Sequence, residues 1–309
     1  MKIISLEPAV TDLLFAFGLG ESIAGVSLKC TLPEAFAKLP AVTFALDDKR
    51  TESFIYPELC SQPLNLDLIK SLKPDLILTS IYRKPISEDI IPEYIQSLQS
   101  NLSSHLGFEV KIVSYAPRNL EEIYEEIKKI TRILKVPAKG IEHAGKIKAQ
   151  LMNWADNFYE RIKNKKATFI SSIEPLKLGG FWIPDMIKLF TAHSQMVNAG
   201  TEDKLCSWDD ILNFRPDVII IAPRGYSLQE SMVSFKAFEK RELWEDIPAV
   251  KRGEVIFADG AAHFYAAGNN ILDSAAILVS ALAGFEGGYI TPRDSFYRLR
   301  WLELQRHKL

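Results

Sequence analysis

Two stretches of this chain, 142 positions apart, carry one pattern. Residues 64–78 and 206–220 each open on a polar residue and an acid, Asn65 with Asp67 and Ser207 with Asp209. That pairing suits the start of a helix, where side-chain oxygens cap free amides and a negative charge meets the positive end of the dipole. Each stretch then reaches a basic residue followed by Pro-Asp, Lys73-Pro74-Asp75 and Arg215-Pro216-Asp217. Proline disfavours helical backbone in the residue before it, so the helix must stop there. An aliphatic run follows, the signature of a strand buried on both faces of a parallel sheet. The openings match too: Ile3-Ile4-Ser5-Leu6-Glu7-Pro8 precedes a helix predicted over 11–17, and Phe169-Ile170-Ser171-Ser172-Ile173-Glu174-Pro175 one predicted over 184–190.

Strand and helix alternating in this way predict an α/β fold built as two similar lobes with mainly parallel sheets. The offset is far too long for a solenoid repeat. The lobes are expected at residues 1–135 and 167–309, joined by residues 136–166. In that join Ile141, Ala144, Ile147, Leu151, Trp154, Phe158 and Ile162 recur at spacings of three and four, which predicts one long amphipathic helix. At ~1.5 Å per residue it would span about 40 Å. A tail over 291–309, rich in Arg and aromatic residues, is expected to form a short amphipathic helix on its own lobe, with a partner-binding tail as the alternative.

Composition narrows the function classes. Among 309 residues, 37 Lys and Arg face 39 Asp and Glu, a formal net charge of -2, which supplies no electrostatic reason for a nucleic-acid or anionic-membrane partner. No apolar run approaches the ~18 residues of a membrane span, so no membrane insertion is expected. The amino terminus has no signal-peptide pattern. As written the chain reads as cytoplasmic, and as periplasmic or cell-surface if a signal has been removed. Cys30, Cys60 and Cys206 are odd in number and widely spaced, which fits buried free thiols better than a disulfide framework or a structural zinc site. Gly18-Leu19-Gly20 follows a helix instead of opening one, and reads as a helix stop and not as a dinucleotide loop.

No nucleophile elbow, zinc-protease helix, phosphate-binding loop or calcium loop occurs. The five histidines, His105, His143, His193, His263 and His307, are scattered, and none pairs with another at metal-ligand spacing. No catalytic residue is therefore nominated, although catalytic sets are assembled in space as well as in sequence.

Taken in order, five segments resemble the periplasmic-type substrate-binding proteins for cobalamin, iron-siderophores and haem, nearest the cobalamin-binding subgroup. They are Ile3-Ile4-Ser5-Leu6-Glu7-Pro8 with Thr11-Asp12, residues 25–43, Ile173-Glu174-Pro175-Leu176 with Gly180-Phe181-Trp182-Ile183-Pro184, residues 244–255, and Asp259-Gly260. The resemblance implies two α/β lobes joined by one long rigid helix, with the ligand in a cleft between the lobes. It implies a non-enzymatic protein that binds cobalamin, or a related corrinoid, haem or iron-siderophore, for an ABC permease. It implies no cofactor of the protein's own and a monomer. The different class of reading is an enzyme or cofactor-maturation factor using the same cleft on a small substrate.

The family likeness points to loops 7–10, 80–84, 177–182, 224–226 and 259–270, at the carboxyl ends of the strands, where open α/β sheets bind ligands. Within them Glu7, Tyr82, Phe181, Trp182, Arg224, Tyr226, His263, Phe264 and Tyr265 are candidate ligand-binding residues. A flat ring needs aromatic walls and a few placed polar groups. Tyr82 and Arg224 hold equivalent positions of the repeat. His263 is the one candidate axial metal ligand. Asp67 and Asp209 fall where family members carry the acids that dock onto permease arginines. The chain also departs from the subgroup: a Tyr-Phe-x-Arg-Pro-Gly-Pro-Arg segment is replaced by His263-Phe264-Tyr265-Ala266-Ala267-Gly268-Asn269-Asn270, without either arginine or proline. Such changes sit around the expected cleft, where the ligand can differ while the scaffold stays the same.

Overall fold

The computed structural model describes residues 1–46, 56–81, 91–190, 192–194, 197–234, 244–268, 270–285 and 290–299. The chain divides into two compact units, Met1–Ala116 with Glu126–Gly140, and Pro117–Glu125 with Ile141–Leu309.

The first unit runs β1 (Ile3–Ser5), α1 (Pro8–Ala16), β2 (Ile23–Val26), α2 (Leu66–Leu72), β3 (Leu76–Thr79), α3 (Ile91–Leu106) and β4 (Lys111–Ser114). Its sheet has the order β2-β1-β3-β4, and every neighbouring pair is parallel. All residues of β1 and β3 are buried, as unbroken aliphatic runs require. Ile4, Ile69, Ile77, Leu102 and Ile112 share one core. α1 starts three residues earlier than predicted because Pro8 sits at its first turn, where the missing N–H is no loss. It stops at Gly18, whose φ of 67° is left-handed, as its reading as a helix stop anticipates.

α4 (Leu120–Ile133) and α5 (Pro137–Ile162) each contribute to both units. α5 is one uninterrupted helix that buries Ala144, Ile147, Leu151 and Ile162. Ile141, counted in that stripe from its spacing, is instead 61% exposed.

The second unit continues with β5 (Lys166–Ile173), β6 (Leu176–Leu178), α6 (Ile183–Leu189), β7 (His193–Ser194), β8 (Lys204–Leu205), α7 (Trp208–Phe214), β9 (Val218–Ile221) and α8 (Leu228–Ser234). It ends with α9 (Pro248–Lys251), β10 (Val255–Ala258), α10 (Ile271–Ala283) and β11 (Phe296–Leu299). The strand order is β11-β10-β9-β5-β6-β8, with β7 beside β5. β5, β7, β9 and β10 run parallel, β6 and β11 run against them, and β8 pairs antiparallel with β6 and so runs with β5, which makes this sheet mixed. A two-residue turn at Glu174-Pro175 is too short for a parallel crossover and folds β6 straight back on β5.

The tail departs from its predicted helix. Phe296 to Leu299 pair with Ala258 to Val255, covering an edge of β10 that would otherwise leave its amides and carbonyls unpaired. Arg298 pairs with Glu254 and donates to the carbonyls of Ala281 at 3.0 Å and Phe285 at 3.3 Å. Residues 300–309 of that tail lie outside the described residues.

The repeat has a local cause visible in both units. Lys73 and Arg215 end α2 and α7 in the left-handed conformation, with φ of 48° and 53°. The aspartate after each proline then receives the backbone N–H of a lysine entering the neighbouring strand. Asp75 Oδ2 accepts from Lys2 at 2.6 Å, and Asp217 Oδ2 from Lys166 at 2.9 Å. Each of those lysines returns its ammonium to the helix end, Lys2 to the Leu72 carbonyl and Lys166 to that of Phe214, both at 3.3 Å. The Lys/Arg-Pro-Asp signature is thus a clasp between a helix end and two strand starts. Asn65 and Ser207 cap the two helices as expected, and Asp67 and Asp209 stand exposed in the first turns. Of the cysteines, Cys60 is buried but Cys30 and Cys206 are only partly so, and all three are free thiols.

Candidate functional site

The carboxyl ends of β5, β9 and β10 lie along one edge of the second sheet, since Ile170 pairs with Ile221 and Ile221 with Phe257. β5 runs on to Ile173, and the loops that leave β9 and β10 are stitched to it and to each other. Ala222 N–H donates to the Ile170 carbonyl at 3.0 Å and Arg224 N–H to that of Ser171 at 2.9 Å, extending the ladder past β9. Gly225 N–H donates to the Gly260 carbonyl at 3.3 Å, and Ala261 N–H to the Tyr226 carbonyl at 2.9 Å.

Arg224 is the centre of this edge. Its guanidinium carbon lies 4.0 Å from the centre of the Tyr265 ring, and Nη2 lies 3.5 Å from Asp203 Oδ2. The Tyr265 hydroxyl donates to the Ala222 carbonyl, which fixes the ring. Burial holds that phenol well above its usual range, with Arg224 pulling the other way, so it remains a donor. Asp203 is itself anchored, because its Oδ1 accepts the Gly180 N–H at 2.9 Å. A guanidinium stacked on a ring and paired along one edge keeps its other donors free for an acceptor. With 51% of its side chain exposed, Arg224 can present them to a ligand.

The loop carrying Phe181 and Trp182 joins the same cluster. Phe181 N–H donates to the Thr201 carbonyl at 2.6 Å, and its own carbonyl accepts from Gly200 at 3.0 Å. Phe181 adopts a φ of 54° and is partly exposed, whereas Trp182 is 4% exposed, with its indole N–H buried and unpartnered. Tyr226 is 41% exposed.

His263 and Phe264 are placed less openly. His263 Nδ1 is buried without a partner, and burial pushes the imidazole below its usual range, with Asp273 and Asp259 pulling back. It is therefore neutral, the form that ligates a metal. A ligating histidine commonly gives its other ring N–H to an acceptor, and among the described residues Nδ1 has none. Phe264 is a core residue: it is 1% exposed, and its ring centre lies 4.9 Å from that of Phe169. Among the described residues no group of three or more His, Cys, Asp or Glu is placed to hold a metal ion.

In the first unit Glu7 follows β1 at the carboxyl edge of its sheet. Thr11 Oγ1 lies 2.7 Å from Ser5 Oγ, 3.1 Å from the Glu7 carbonyl and 3.1 Å from Cys30 Sγ. Burial raises the Glu7 carboxyl from 4.5 to about 7, against the pull of Lys29 and with some help from Asp12. The folded state therefore holds a proton that the unfolded chain has released. The stability this contributes is full below pH 4.5 and is lost as the pH rises to about 7. Wild type should lose up to about 3 kcal/mol over that window. Glu7→Gln should flatten the profile, which urea unfolding at about pH 5 and about pH 8 would read. Parallel profiles for the two proteins would remove Glu7 as the source.

Tyr82 lies outside the described residues. Asp203 and the carbonyl of Thr201 were not nominated from the sequence, because an acid 21 positions before Arg224 has no periodic or motif relation to it.

Two α/β units with their loops gathered at the carboxyl ends of parallel strands define an α/β solute-binding protein. The chain belongs to the periplasmic binding protein family, whose model matches residues 3–262. It is similar to an uncharacterized ABC transporter substrate-binding lipoprotein, YvrC, of Bacillus subtilis, at 24% identity over 84% of this chain and 72% of the relative. It is similar to a vitamin B12-binding protein of Vibrio vulnificus, at 22% identity over 81% of this chain and 78% of the relative. Among solved structures it matches S. aureus IsdE complexed with heme, with a TM-score of 0.67 and 17% identity, covering 91% of this chain and 98% of that one. No described helix is long and apolar enough to cross a membrane.

Proposed function

We propose that this protein is the ligand-binding component of an ABC-type uptake system and holds cobalamin or a related large cofactor, a corrinoid, haem or iron-siderophore, without catalysing a reaction. The observation that carries the reading is the exposed Arg224, braced by Asp203 and Tyr265, with the exposed Tyr226 two positions on in the same loop. A fixed cation among aromatic surfaces suits the polar edge and flat face of a large ring. Membership of a binding-protein family and the B12-binding and haem-bound relatives support the same class of ligand. His263 has no coordinating role in this proposal, since among the described residues its Nδ1 has no acceptor. Uptake would be performed at the cell surface or in the periplasm, as the lipoprotein relative suggests. Asp67 and Asp209 are the proposed contacts to the permease.

The test is a titration of the purified protein with cyanocobalamin, aquocobalamin and haem, followed by absorbance and Trp fluorescence. Saturable one-to-one binding of a ring is expected, weakened roughly tenfold or more by Arg224→Ala. No binding of any ring or of a ferric siderophore titrated in the same way, or chemical conversion of the ligand, would overturn the reading. With a bound ring in hand, the Asp67→Ala and Asp209→Ala double variant should bind normally yet fail to stimulate permease ATP hydrolysis. Full stimulation would remove the docking role.

A further inference from the structure

A cavity of about 550 Å3 opens at the amino-terminal edge of the second unit's sheet, where β5 and β9 begin. It lies at the opposite strand ends from the loops that carry Arg224 and His263. Four cations line it: Lys166 at the start of β5, Arg215 at the end of α7, Lys251 at the end of α9 and Arg252 just after it. Two carboxylates, Asp217 and Asp246, also face it. We propose that this cavity binds a small, multiply charged phosphate-type anion.

Both carboxylates are already engaged. Asp217 Oδ1 lies 2.5 Å from Arg252 Nη2 while its Oδ2 takes the Lys166 amide, and Asp246 lies 3.1 Å from Lys251 Nζ. Among the described residues the Lys166 ammonium forms no ion pair; it lies 3.3 Å from the Phe214 carbonyl and 5.5 Å from the Phe214 ring centre. Arg215 is exposed, and no described side chain pairs with its guanidinium. Two positive charges are therefore left uncompensated toward the cavity.

The clasp at the helix end does not require this surplus. The first unit makes the same turn with Lys2, Lys73 and Asp75. What the second unit adds is a second pair of cations lining the cavity, Lys251 at the end of α9 and Arg252 just after it. Planar guanidinium forks with ammonium point charges suit the several oxygens of a diphosphate or triphosphate.

Inorganic pyrophosphate is the probe, titrated calorimetrically at roughly 0.15 M salt, where diffuse surface attraction is screened. The informative variant combines Arg215→Gly with Lys251→Gln. Glycine takes the φ of 53° at position 215 without strain, so the turn survives loss of the charge. Wild type should bind one pyrophosphate per chain, and the double variant should bind it roughly tenfold or more weakly with an unchanged thermal midpoint. The site is overturned if wild type shows no saturable binding at millimolar pyrophosphate. It is overturned equally if both proteins bind alike, or if binding is multiple and unsaturable. Ring binding at the opposite strand ends should be unaffected, so this test stands apart from that of the uptake reading.

Discussion

Phe264→Ala is expected to destabilise the second unit by about 3–5 kcal/mol while leaving ligand affinity of the folded protein nearly unchanged. The side chain is 1% exposed, and its ring meets Phe169 at 4.9 Å with the planes at 65°, an edge-on contact. Phe169 has room for that contact because residue 179 is glycine: a Cβ there would sit 2.6 Å from the Phe169 ring. The Phe264 amide is also held, donating to Ser274 Oγ at 2.9 Å. Alanine would leave a cavity beside the Phe169 ring. Urea unfolding measures the loss, and ring titration of the folded variant measures affinity. A loss below about 1 kcal/mol together with a large drop in affinity would put Phe264 on the ligand wall after all.

Gly260→Ala is expected to abolish most ring binding, by roughly tenfold or more in affinity, and to cost about 1–3 kcal/mol of stability. A Cβ at 260 would lie 2.1 Å from the Pro223 carbonyl oxygen and 2.9 Å from that of Ala222. Those are backbone atoms and cannot rotate aside. The loop after β9 would have to move away from the loop after β10, breaking the Gly225 and Ala261 hydrogen bonds and shifting Arg224 off the Tyr265 ring. Gly145→Ala is the control, since nothing lies within 4 Å of a Cβ there. On the α5 helix it should raise stability by up to about 1 kcal/mol and leave binding alone. Wild-type affinity in Gly260→Ala would mean the two loops do not jointly hold the ligand.

Both predictions concern residues whose roles diverge although their sequence signals look alike. Phe264 and Tyr226 are aromatic residues in loops after strands, yet one is core and the other 41% exposed. Their difference lies in Phe169, 95 positions before Phe264, which no local pattern links to it. Asp203 was missed for the same reason: its value comes from meeting Arg224 and the Gly180 amide, neither near it in sequence. Loop positions of the candidate site were legible, because parallel strands put their carboxyl ends on one edge. The orientation of each side chain was not.

From the sequence alone come the two α/β units, the long α5 helix and the helix–Pro-Asp turn–strand pattern repeated in each unit. These rest on short-range sterics: proline excludes helix from the residue before it, and apolar spacing follows the helical or extended period of the chain itself. Tertiary structure alone decided that β6 and β11 run against the parallel strands and that Phe296–Leu299 of the tail form a strand. It alone put Phe264 in the core and set Asp203 and Tyr265 around Arg224. Free edges, cavities and unpaired charges come into being only when distant segments meet, and the residues that satisfy them are chosen by proximity in space.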